Sequence, residues 1–101
     1  MADSIMQDEK ECFMTGCQSG LDKHHIYHGT ANRALSEQYG CWCWLKHELH
    51  MKLHDSDKKL DRYLEQECQR KFEDIHGGKV IGRKKFMEVF GKNYLGDESN
   101  E

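Results

Sequence analysis

Four histidines in this 101-residue chain have the spacing of a hydrolytic metal site: His24 beside His25, and His50 four residues before His54. On a helix, residues four apart project from one face about one turn apart, the usual arrangement for two imidazoles gripping one ion. His47, three before His50, can share that face. Neighbours in an extended strand point to opposite faces, so His24 and His25 cannot simply repeat one task. One ring can complete a three-imidazole set with His50 and His54, and the other then points toward whatever the metal holds. A neutral imidazole, with a pKa near about 6.5, takes a proton from water close to neutrality. A metal with open positions can stabilise a leaving oxygen on phosphate. Together these are the parts of a metal-assisted phosphodiester hydrolase. All-imidazole ligation favours zinc, nickel or manganese over magnesium, which prefers oxygen donors.

The elements that must position these rings can be read along the chain. ECFMTGCQSGLDKHHIYHG suits short extended pieces around a turn at Gly16 to Gly20, closing at Gly29. ANRALSEQYG suits a short helix or turn that stops at Gly40. CWCWL, residues 41–45, is the best strand candidate, with Cys41, Cys43 and Leu45 on one face and the tryptophans Trp42 and Trp44, expected to pack inward, on the other. It runs into KHELHMKLH, whose composition suits the start of a helix. From Asp55 onward Leu60, Leu64, Cys68 and Phe72 recur every four residues, a helix capped by Asp55 or Ser56 and stopped at Gly77-Gly78. Its apolar face fits either inward packing or a dimer. A second short helix fits Arg83 to Phe90. The expected fold is therefore small α+β: strand, strand, helix, then a helical extension. A disordered polar arm is expected over 1–10, one domain over 11–95 (core 11–54, helical extension 55–95) and an acidic tail over 96–101.

Composition limits the alternatives. Apolar residues make up 37% and charged residues 33%, with no proline, so the core is small and a chain of this size gains from a metal, disulfide or partner. No apolar run approaches the roughly 20 residues that span a bilayer. The acidic MADSIMQDEKE lacks the regions of a signal peptide. A cytoplasmic protein with reduced or metal-bound cysteines is the expectation. Cys12-x4-Cys17 with Cys41-x-Cys43 offers a rival four-thiolate zinc site; the alternative makes Cys43 and Cys68 small buried apolar residues. Net charge is −3, yet Lys79, Arg83, Lys84, Lys85 and Lys92 face only Glu88 between them. That group is either a solvated helix face or a set of phosphate contacts. His28 and His47 are expected to face solvent, and His76 to sit at a helix end.

The chain also resembles the HNH nucleases, and within them a group of small phage-associated HNH-like proteins. The resemblance lies in CF at 12–13, LDKHHIYHGTANR at 21–33, SEQYGCWCWL at 36–45, ELH at 48–50, LH at 53–54, KFEDIHGGK at 71–79 and KKFMEVFGKNYL at 84–95. It implies a ββα-metal (His-Me finger) core, cleavage of DNA, and a phage or prophage protein at work in a bacterial cytoplasm. By position, His24, His50 and His54 would be metal ligands and His25 the general base. The family places an asparagine near the second strand to orient that base. The matching position lies near Cys41 here, so Asn32, the only asparagine between the histidine clusters, or a backbone carbonyl would take that orienting role. Arg33, Lys84 and Lys85 are the candidate phosphate contacts. A protein partner is the expected source of sequence specificity, since no DNA-reading module is visible. The competing class is a non-catalytic zinc-binding adaptor of the same fold, holding nucleic acid or a protein partner.

Overall fold

A computed structural model of the chain describes residues 3–96. The element order is β1 (Leu21–His25), α1 (Thr30–Tyr39), β2 (Trp42–Lys46), α2 (His47–Asp55), α3 (Lys58–Ile75) and α4 (Gly78–Phe90). The fold is small α+β: two antiparallel strands and four helices. α1 lies between the strands, where the sequence left a choice between helix and turn. It closes at Gly40, whose positive φ of 73° lets its N–H reach back to the last carbonyls of the helix.

The strand register places His24 opposite Cys43 and His25 opposite Trp42. Strand alternation then gives the sheet two faces. Asp22 and His24 share the inner face with Cys43 and Leu45, and both of the latter are fully buried. Lys23 and His25 share the outer face with Trp44 and Trp42. The tryptophans are half-buried rather than part of the core. Their rings meet edge to face at 5.6 Å, with the Lys23 ammonium over Trp42 and that of Lys10 over Trp44.

The segment expected to be a disordered arm packs along β2 over residues 3–10. Ile5 N–H donates to the Gly40 carbonyl, Ser4 Oγ donates to the Trp42 carbonyl, and Gln7 Oε1 accepts from Trp44 N–H. These bonds satisfy backbone groups on the strand edge that β1 leaves unpaired. Met6 enters the core. A Cβ on Gly40 would lie 2.2 Å from the Asp3 carbonyl oxygen, so this crossing requires glycine. The first two residues of the arm, and the acidic tail from residue 97 on, lie outside the described residues.

The helical extension begins where Asp57, rather than Asp55 or Ser56, caps α3 by accepting the Leu60 N–H at 3.0 Å. Its stripe of Leu64, Cys68 and Phe72 packs inward. Phe72 joins Tyr27, Phe86, Phe90 and Tyr94 in an aromatic cluster centred on Tyr27. Each such ring pair adds about 0.5–1.5 kcal/mol beyond area burial. α4 starts at Gly78, five residues before the expected Arg83. Gly82 explains the extension, because a Cβ there would lie 2.2 Å from the Glu73 carbonyl oxygen of α3. Only glycine permits that approach. Arg83 then reaches Glu73 at 2.8 Å, and Gln69 bonds Glu73, Asn93 and the Tyr94 N–H. This buried network leaves Tyr94 against Tyr27, the residue that fixes the chain just beyond the histidine pair.

Candidate metal centre

Tyr27 is held by α1 and α3 together. Ser36 Oγ donates to its carbonyl and accepts from its N–H, and the Tyr27 hydroxyl donates to the Glu65 carbonyl at 2.7 Å. The residue before His28 is thereby anchored, and β1 delivers its two imidazoles to opposite faces. His24 turns inward and is 1% exposed. His25 turns outward, toward α1.

On the inner face, His24 meets the helix-borne pair. Its ring centroid lies 5.2 Å from that of His50 and 5.6 Å from that of His54. One ligand atom from each of the three rings falls within 4.8 Å of the others. Three features fit a metal ion held among them. First, His24 Nε2 is buried without any hydrogen-bond partner, a costly state that a cation would relieve. Second, His50 Nε2 and His54 Nε2 are 3.2 Å apart; two nitrogens roughly 2.0–2.1 Å from one tetrahedral ion stand about 3.3 Å from each other. Third, Asp22 Oδ2 accepts from His50 Nδ1 at 3.0 Å, which fixes the proton on Nδ1 and leaves the Nε2 lone pair for the centre.

Electrostatics point the same way. Burial, with the nearby His50, His28 and His54 rings, pushes the His24 pKa down to about 3. Burial, with the nearby His50 and His28 rings, lowers His54 as well. Hydrogen bonds from His50 and His47 hold the Asp22 carboxyl below its usual range. These shifts favour neutral His24 and His54 rings and an ionised Asp22 carboxylate, the states a metal needs.

On the outer face, His25 Nε2 lies 2.8 Å from Glu37 Oε1, and Lys23 Nζ bonds the same carboxylate at 2.9 Å. Bonds from His25 and Lys23 lower the Glu37 pKa, so it is ionised and can only accept. Nε2 of His25 then carries the proton, and Nδ1 is left as the basic nitrogen. Glu37, and not Asn32, is the residue that His25 meets on α1. Asn32 is half-buried further back on α1.

The described geometry sorts the remaining candidates. Lys23, His24, His25, His28, Arg33, His50 and His54 line one cleft of about 190 Å³. Arg33 is therefore at the site, while Lys84 and Lys85 are not among the lining residues. Arg83 is taken by Glu73, and Lys85 lies over the Tyr39 ring, so the basic group on α4 is not a uniform free face. His28 is exposed, as expected, and its ring stands 5.6 Å from His24 and 5.3 Å from His54, its Nε2 on Asp61 Oδ1. His47 is exposed yet bonds Asp22 at 2.7 Å. All five cysteines are free thiols. Among the described residues the clusters able to hold a metal contain histidine and aspartate but no cysteine, so the rival thiolate set is not assembled.

Sequence alone missed Asp22, Glu37 and Asp61, and the contact that His28 makes with Asp61. Asp22 had a signal, since it lies two residues before His24 and so on the same strand face. Comparison with known proteins finds no matching family model, curated protein or solved structure. Among the described residues no helix is long and apolar enough to cross a membrane. What the structure supports is a small α+β protein whose histidines stand close enough to hold a metal ion.

Proposed function

We propose that this protein is a metal-dependent endonuclease that hydrolyses DNA phosphodiester bonds, with a ββα-metal core formed by β1, β2 and α2 and a helical extension formed by α3 and α4. One observation carries the reading: β1 sends His24 into a three-imidazole cluster and His25, oriented by its own carboxylate, to the other face of the same strand end. A merely structural metal site has no use for the second, separately held imidazole.

His24, His50 and His54 would hold the ion, zinc, nickel or manganese in preference to magnesium. The bound ion would contribute positive charge beside a phosphate oxygen and the leaving oxygen. His25 takes the proton of the attacking water at Nδ1, and Glu37 stabilises the imidazolium that results. Arg33 and Lys23, both lining the cleft, would hold the phosphate. Lys84 and Lys85, which do not line the cleft, would serve as more distant backbone contacts. The HNH resemblance further suggests a phage or prophage protein in a bacterial cytoplasm, with a protein partner supplying sequence choice.

The test is cleavage of supercoiled plasmid by chelator-stripped protein with manganese, nickel, magnesium or zinc added back. Cleavage restored by metal in wild type but not in His50→Ala supports the proposal. Cleavage that persists in chelator, or is equal in His50→Ala, contradicts it.

A further inference from the structure

The trihistidine set leaves His28 and Asp61 unexplained. His28 follows β1 in the loop fixed by Tyr27, and Asp61 lies in the first turn of α3. Their side chains meet at 3.1 Å, Nε2 to Oδ1, with Asp61 only 16% exposed. A ligand atom from each of His24, His28 and Asp61 lies within 4.8 Å of the other two. The chain thus carries two overlapping ligand sets that share His24, the residue whose buried Nε2 has no partner.

We propose that His28 and Asp61 form a second divalent-cation position beside the trihistidine set, suited to an ion that accepts mixed nitrogen and oxygen donors, such as Mn²⁺. The inference deepens the metal-nuclease reading and rests on it for the first ion. His24 offers its buried nitrogen once. An ion taken by His24, His50 and His54 leaves His28 Nε2 and the Asp61 carboxylate for a neighbour. Two protein donors suffice for an ion that keeps several waters and exchanges some for phosphate oxygens. Two ions roughly 3.5–4 Å apart are a recurrent solution for phosphodiester cleavage, one on each of the attacking and leaving oxygens.

The experiment loads the full chain with one equivalent of Zn²⁺, removes free ion, and titrates Mn²⁺ while the free Mn²⁺ is followed by its electron paramagnetic resonance signal. The expected result is one further Mn²⁺ bound per zinc-loaded chain. Asp61→Asn and His28→Gln should each weaken that binding by tenfold or more while retaining the zinc, with circular dichroism melting curves confirming that both variants fold. The proposal is overturned if zinc-loaded wild type leaves the Mn²⁺ free. It is equally overturned if both folded variants bind Mn²⁺ as wild type does. If wild type retains no zinc, the trihistidine reading fails instead, and the same Mn²⁺ titration of metal-free wild type against the two variants decides the second position by itself.

Discussion

Asp22 touches no ion in the proposed centre, yet its removal should weaken metal binding more than any other change outside the ligand set. Its Oδ2 accepts from His50 Nδ1 at 3.0 Å and from His47 Nδ1 at 2.7 Å. Asp22→Ala deletes both bonds. His50 then loses the partner that holds its proton on Nδ1, so its ring can flip and its Nε2 can take up a proton in place of the metal. Loss of such an orienting carboxylate typically costs ten- to a hundredfold in affinity, or about 1.4–2.7 kcal/mol. Global stability should change far less, because the Asp22 side chain is 32% exposed and carries no core packing. The assay is competition for Zn²⁺ or Co²⁺ against a chromophoric chelator, with His47→Ala as the control. His47 is 61% exposed and contributes only through Asp22, so its loss should lower affinity by no more than about threefold. Asp22→Ala binding metal as tightly as wild type would refute the assignment of His50 Nε2 to the centre.

Glu37→Ala should reduce plasmid cleavage by roughly ten- to a hundredfold with metal affinity unchanged, since it leaves His25 free to choose the wrong tautomer; equal cleavage rates would remove Glu37 from the mechanism. Gly82→Ala should destabilise the fold by about 3 kcal/mol or more, because the added Cβ meets backbone atoms of Glu73 at 2.2, 2.7 and 2.8 Å and the two helices must part. A variant that melts with wild type would contradict the α3–α4 contact. Metal-free protein should lose stability in acid through His24, which stays neutral in the fold down to about 3. The unfolded chain takes up that proton near about 6.5, so it binds more protons between these values and stability rises with pH at up to about 1.4 kcal/mol per pH unit. The contribution is complete above the unfolded value and is lost as pH falls toward the folded one. Urea midpoints in chelator at pH 7 and pH 5 check this, and equal midpoints would contradict it.

The parts of the site that follow a regular period were legible in the sequence. His50 and His54 share a face because α2 is a helix, and His24 and His25 divide between faces because β1 is a strand. The stripe of Leu64, Cys68 and Phe72 likewise foretold the buried side of α3. The parts that depend on how elements meet were not legible. Glu37 reaches His25 because Ser36 pins α1 to the Tyr27 backbone and so sets the rotation of the helix. No local pattern reveals that rotation, and Asn32 was named from its residue type instead. His28 lies in a loop and is exposed there as expected, but its place at the rim of the cleft depends on Asp61 from α3 and was not legible. GKVIG carries glycines that argue against a helix start, and α4 forms there because Gly82 lets α3 come close. The tryptophans of β2 have the size of core residues, but the inner face is already filled by Cys41, Cys43 and Leu45.

Cleavage by wild type beside His25→Ala, under the metal that best restores activity, tests the central claim most directly. His25 is not among the proposed ligands, so both proteins should bind the ion with equal affinity, and only wild type should nick supercoiled plasmid. Equal nicking by both would remove His25 as the base. If both hold the metal and neither cuts supercoiled, single-stranded or branched DNA, the endonuclease proposal is contradicted and the protein is a metal-binding adaptor.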